Sequence, residues 1–294
     1  MQILINFCIF IVQELRSISG SRGNIGAEYA SSEWTHESIS CTFFLWKRIR
    51  DNNYVLMIEL DRIYQEDCLE TLKRLEDNSI DLIITSPPYN KGYWSRNRRM
   101  GNGFHTKSRR IDYGVFDDCM IPEEYERWQR QILNECVRVI KPEGSIFYNH
   151  TPIQRDLNEI NPTFIYDYPL KQTIIWNRNS TCKMDKSYFF PFYEYIFWLK
   201  KNKEARPYFN RHQALFRNSI WTIMPDKKND HPAPFPIELP ENIILACSKE
   251  GDIVYDPFMG SGTVAIAAKK HNRHYLGSEL SQEYVEDAER RIKR

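Results

Sequence analysis

From Met57 to the end of this 294-residue chain, short apolar runs alternate with amphipathic segments, and that alternation restricts the fold more than any other feature. IELDRIYQEDCLETLKRLEDNSIDLIIT reads as strand, acidic turn, short helix and core strand, one βαβ step. A helix follows from about Pro122 to Ile140, opened by proline in its first turn and closed by KPEG. GSIFYNH, QTIIWN and YEYIFWLKK are strand-like. The last third restarts the rhythm with helix IELPENIILACS, strand DIVYD, turn PFMGSGT, helix VAIAAKK, strand HYLGSEL and helix SQEYVEDAERRIKR. Such a sequence predicts an α/β protein whose doubly wound, mostly parallel sheet carries helices on both faces.

Residues 1–56 do not share this rhythm. They read as an N-terminal extension, or upstream translation ahead of a start at Met57, or a packed N-terminal helix. The opening MQILINFCIFIVQELR is apolar for about ten residues, too short to span a membrane, and it lacks the basic start and small-residue cleavage site of a signal peptide. Seven scattered cysteines, none spaced C-x-x-C, fit reduced thiols in a cytoplasmic setting and give no support for a metal site. The formal net charge of +1 rules out arguing a nucleic-acid partner from the total, so any such surface must be local.

Two strand ends carry chemistry. DLIITSPPYN ends a buried, β-branched run in a hydroxyl, two prolines and an aromatic ring. Proline fixes φ and removes an N–H, so this corner presents acceptors rather than donors. DIVYDPFMGSGTVAIAA ends a second strand at Asp256, and Gly260-Ser261-Gly262 then turn tightly into a helix, where a ligand can approach the backbone at the carboxyl end of the sheet. A phosphate loop would need lysine after the glycines, where Thr263 and Val264 stand. Glu279 closes the next strand, where an acidic side chain accepts both hydroxyls of a ribose.

Together TSPPY and DPFMGSGT resemble the motifs of the amino-group DNA methyltransferases that use S-adenosylmethionine, and their order, catalytic motif first, looks like the β subgroup. The resemblance runs from Met57 to the end and implies a seven-stranded, Rossmann-like methyltransferase sheet. It implies that Asp256, Phe258, Gly260, Ser261, Gly262 and Thr263 cradle the methionine end of the cofactor and that Glu279 holds its ribose. Asp67, with Cys68 beside it in EDCLE, takes the place of the residue on the cofactor's adenine. HPAPFP, containing His231 and Phe235, resembles the segment that closes over the methionine moiety, although His231 also reads as a loop-bracing or helix-capping residue.

An exocyclic amine is a poor nucleophile because its lone pair is delocalised into the ring. A clamp must accept its hydrogens and hold the nitrogen in line with the sulfonium methyl. Ser86 Oγ and the carbonyl of Pro87 can do this, Pro88 stiffens the corner, and Tyr89 offers a ring on which an extruded base can stack. Family members with S-P-P-Y most often methylate cytosine N4 and those with D-P-P-Y adenine N6; Asn90 does not settle the choice. C5-cytosine chemistry needs Pro-Cys, a dipeptide absent from this chain. A catalytically silent DNA-binding module and a methyltransferase for RNA or protein are the other readings.

Between Lys91 and Arg110 lie seven basic and no acidic residues, Lys91, Arg96, Arg98, Arg99, Lys107, Arg109 and Arg110, interleaved with Tyr93, Trp94 and Phe104. A basic loop over 91–120, next to an amine clamp, fits phosphate contact with double-stranded DNA. The resemblance places target recognition in a small insert over about 178–230 and a cognate restriction endonuclease among the partners; it implies no membrane and no metal. Trp176 and Trp198 read as core.

Overall fold

The computed structural model describes residues 58–91, 93, 116, 118–155, 158–179, 189–225 and 235–294, all within the larger of the chain's two units, Phe43–Arg294. The readings made for residues 1–56, for Arg96, Arg98, Arg99, Lys107, Arg109 and Arg110, and for His231 lie outside the described residues, as do residues 180–188 and 226–230 of the proposed insert.

The main sheet orders its strands β1 (Arg62–Gln65), β10 (His274–Glu279), β9 (Ile253–Asp256), β2 (Ile80–Thr85), β3 (Ile140–His150), β7 (Tyr193–Leu199), β6 (Leu170–Asn177) and β8 (Ile220–Thr222). It has eight strands, where seven were expected. The additional one is the three-residue β8, which pairs parallel to β6 at the edge. Within this sheet only β7 runs against its neighbours. A small antiparallel pair, β4 (Ile153–Arg155) and β5 (Asn158–Ile160), stands apart.

Helices cover both faces. On one lie α1 (Cys68–Arg74) and α2 (Pro122–Val139), packed on Ile80, Ile83, Ile146, Tyr148 and Phe197. On the other lie α3 (Glu238–Cys247), α4 (Thr263–Lys270) and α5 (Gln282–Ile292), over Leu82, Ile84, Phe147, Trp176 and Trp198. Residues of β2 therefore feed both layers, which is why IDLIIT is apolar almost throughout. The helix starts follow from sequence chemistry: Asp67 caps α1 by accepting from Leu69 N–H at 2.8 Å, Pro122 opens α2, and Ser281 caps α5.

KPEG does not close α2 with a loop. The helix ends at Val139 and β3 begins at once at Ile140, paired with Ile80. Gly144 is required there, because a Cβ would stand 2.7 Å from the Asp81 carbonyl oxygen. Trp176 and Trp198 are core, 3% and 4% exposed. Among the described residues no helix is long and apolar enough to cross a membrane.

Candidate active site

Every parallel strand of the sheet ends on the same edge, and that edge collects the polar residues. The register Gln65↔Glu279 and Gly277↔Asp256 places Asp67, Glu279 and Asp256 after or at the ends of β1, β10 and β9. Thr85↔Tyr148 sets Ser86, just past β2, beside Asn149 of β3. Because β7 is antiparallel, its first residues, Tyr193 and Glu194, arrive at the same edge, opposite Asn177 and Trp176 of β6.

The turn after β9 is built around two glycines in the left-handed region, Gly260 at φ 50° and Gly262 at φ 79°. A Cβ on Gly262 would lie 2.8 Å from that of Ala288 in α5, so the turn also needs glycine for packing. Asp256 accepts from Phe258 N–H at 2.9 Å, and burial pushes its carboxyl up to about 7, against the pull of that N–H and with a further push from Glu279. Glu279 accepts from Gly260 N–H and Ser281 N–H, each at 2.9 Å, so it tethers the turn to the next strand. Burial raises its pKa as well. Each carboxylate oxygen retains a lone pair for a ligand.

The remaining expected cofactor residues sit as follows. Ser261 and Thr263 are buried, and the Ser261 carbonyl accepts from Arg291 of α5. Phe258 meets Trp128 edge to face at 5.6 Å, and Phe235 meets Trp176 likewise at 6.0 Å. The Cys68 side chain is buried in the apolar layer beneath α1, where burial raises its thiol pKa.

The first corner is held from three directions. Ser86 Oγ lies 2.7 Å from the Tyr89 hydroxyl. Behind them Asn149 Nδ2 donates to the Tyr89 oxygen, to Glu194 Oε2 at 2.8 Å and, at 3.4 Å, to Ser86 Oγ. Glu194 Oε2 also accepts from the Tyr89 hydroxyl at 3.2 Å, and its Oε1 accepts from Arg178 Nη1 at 2.7 Å. From below, the Tyr125 hydroxyl stands 3.0 Å from the Pro88 carbonyl and 3.0 Å from His150 Nε2. The His150 Nδ1 lies 2.9 Å from the Thr151 carbonyl, so a neutral ring donates there and keeps Nε2 as an acceptor. Burial lowers the pKa of His150 to about 3, which keeps it neutral.

On the far side Asn90, at φ 57°, accepts from Met120 N–H at 2.8 Å and donates to its carbonyl at 2.7 Å. Lys91 N–H donates to Asp118 at 2.8 Å and Tyr93 N–H to the Asp118 carbonyl at 3.1 Å. The two ends of the basic segment are thereby latched together beside the corner. The Tyr89 ring is 7% exposed, with the Lys91 ammonium 4.7 Å from its centroid and His150 at 4.8 Å.

Of the residues expected at the site, Ser86, Tyr89, Asp256 and Glu279 are brought to one edge; Asn149, Glu194, Tyr125, His150 and the latching bonds of Asn90, which brace the first corner, were not anticipated from the sequence. The available signal was a polar residue inside or ending an apolar strand run, as in YEYIFWL and GSIFYNH.

A family model for the N6/N4 group, described as DNA methylase, matches residues 80–290. Type II methyltransferase M.HpaI of Haemophilus parainfluenzae is 31% identical over 250 residues, covering 79% of this chain and 74% of its own. Type II methyltransferase M.BglII of Bacillus subtilis is 29% identical over 265 residues, covering 78% and 68%. Among solved structures, PvuII DNA methyltransferase (cytosine-N4-specific) superposes with a TM-score of 0.62 at 20% identity, covering 77% of this chain and 84% of that one. The M1.HpyAVI–SAM complex gives 0.54 at 21% identity, covering 79% and 99%. At these identities the two structures speak for the fold.

Proposed function

The chain belongs to the N6/N4 DNA methylase family, and from that premise we propose that it methylates the exocyclic N4 amine of cytosine in duplex DNA, on a base swung out of the helix. The methyl donor is S-adenosylmethionine. The observation that carries the cytosine reading is Ser86, a hydroxyl where D-P-P-Y enzymes have a carboxylate, set on the sheet edge that also holds Asp256 and Glu279.

In this reading Asp256 and the Gly260–Gly262 turn hold the methionine end, Glu279 the ribose hydroxyls and Asp67 the adenine. Ser86 Oγ and the Pro87 carbonyl accept hydrogens of the target amine. The amine nitrogen then forms the new N–C bond, the C–S pair leaves on sulfur as a neutral thioether, and the nitrogen sheds one proton to water. Stacking on Tyr89 requires Lys91 to swing off the ring, a small movement for its flexible four-carbon stem. The basic segment latched at Asn90 and Met120 supplies phosphate contacts, and a cognate restriction endonuclease is the partner that fits such an enzyme.

The test is incubation of the purified protein with duplex DNA of random sequence and isotopically labelled S-adenosylmethionine, followed by digestion to nucleosides and mass spectrometry. Label in N4-methylcytosine is expected. Label in N6-methyladenine keeps the clamp but overturns the inference from Ser86, and DNA without label overturns DNA as the substrate.

A further inference from the structure

The hydrogen bonds behind the corner fix a direction as well as a position. Tyr89, Asn149 and Glu194 are 7%, 1% and 4% exposed, so their polar groups must find partners within the protein. Glu194, ion-paired with Arg178, can only accept as a carboxylate. The Tyr89 hydroxyl has one hydrogen, and the carboxylate oxygen 3.2 Å away has none, so that hydrogen goes to Glu194. The Tyr89 oxygen is left with lone pairs, which face Asn149 Nδ2 and Ser86 Oγ. The 2.7 Å contact between the two hydroxyls then has one permitted polarity, with Ser86 as the donor. The reverse arrangement would set oxygen lone pairs of Tyr89 and Glu194 against each other in a buried site.

We propose that Glu194 is a positioning residue which, through Tyr89, turns the Ser86 hydrogen inward and so makes Ser86 Oγ an obligate acceptor for the target amine. The inference rests on the amine-clamp reading above and deepens it. A carboxylate at this position is an acceptor by nature. A serine hydroxyl is a free rotor that can present either its hydrogen or its lone pairs, and a hydrogen aimed outward would oppose the hydrogens of the amine. The relay from Ser86 to Tyr89 to Glu194 removes that choice before the base arrives, which is preorganisation of the kind that lowers a barrier.

The experiment compares full-length wild type with Glu194→Gln, Tyr89→Phe, Ser86→Ala and the Ser86→Ala/Glu194→Gln double variant, measuring single-turnover methyl transfer to duplex DNA and S-adenosylmethionine affinity. A glutamine amide offers donor and acceptor alike, so it no longer dictates the direction of the Tyr89 hydroxyl. Glu194→Gln is expected to slow methyl transfer about 10- to 100-fold while cofactor affinity stays within about twofold. Tyr89→Phe leaves the Glu194–Arg178 pair intact and is expected to lose a similar factor, which guards against a folding defect in the glutamine variant. In the Ser86→Ala background Glu194→Gln should change the rate by less than about threefold, because its effect passes through Ser86. An equal loss with and without Ser86 overturns the proposal.

A second readout needs no substrate. The fluorine resonance of 3-fluorotyrosine placed at position 89 is expected to move in Glu194→Gln, and a resonance that stays put overturns the relay whatever the protein methylates. A moved resonance together with wild-type protein that leaves DNA unlabelled supports the relay and overturns only DNA as the substrate.

Discussion

Asp256 shows how far a single side chain carries the chemistry. It ends β9, it is buried, and that burial raises its carboxyl to about 7 in the ligand-free protein. If its ionised form receives the cationic amino group of the cofactor's methionine end, binding must first drive off a proton at any pH below that value. Affinity for S-adenosylmethionine is therefore expected to fall about tenfold per pH unit below 7 and to level off above it. Asp256→Asn should bind weakly at every pH with no such slope. Titration calorimetry from pH 5.5 to 8.5 decides this, and a level wild-type profile would sink the assignment. Asp256, Ser86 and Glu279 were legible because each interrupts an apolar run at its end. Glu194 and Asn149 were not, because their role depends on pairing with Tyr89, 105 and 60 residues away, and a local pattern carries no such information.

At the scale of elements, apolar periodicity made the strands and helices of the first βαβ step and of the last third readable, since each buries one defined face. It could not show that β1 and β2, joined through α1, are separated in the sheet by β10 and β9 from the far end of the chain. Nor could it reveal β4, β5 and β8, which at three residues each are too short to display a period. The basic segment is the element whose contribution can be isolated. Asn90 and Asp118 latch its ends beside the clamp, and the proposed function assigns phosphate contact to the basic residues between them. Replacing Arg98, Arg99, Arg109 and Arg110 with glutamine is expected to weaken DNA binding and to flatten the slope of log K against log salt by about 3 to 4, roughly 0.9 for each lost phosphate contact. Cofactor affinity should not change. Fluorescence anisotropy over a salt series checks this, and an unaltered slope would remove the segment from the DNA interface.

For the whole molecule, one sheet edge does two jobs with opposite responses to acid. His150, braced under the corner, has its pKa lowered by burial to about 3, so between that value and its ordinary 6.5 the unfolded chain holds the extra proton and stability is lost as pH falls. Asp256 has its pKa raised from 3.8 to about 7, so over that window the folded protein holds the extra proton and stability is gained as pH falls. Each slope reaches about 1.4 kcal/mol per pH unit, and between pH 6.5 and 4 they offset one another. Removing one side exposes the other. Relative to wild type, Asp256→Asn should lose melting temperature progressively from pH 7 to 4, while His150→Asn should gain it. On the proposed assignment, saturating S-adenosylmethionine draws Asp256 into its ionised form and should likewise withdraw the compensation, so that the stabilisation the ligand confers shrinks with acid. Calorimetric scans of the three proteins, with and without cofactor, test the coupling. Curves that stay parallel across that range would show that the two buried groups do not govern how the folded edge responds to protons.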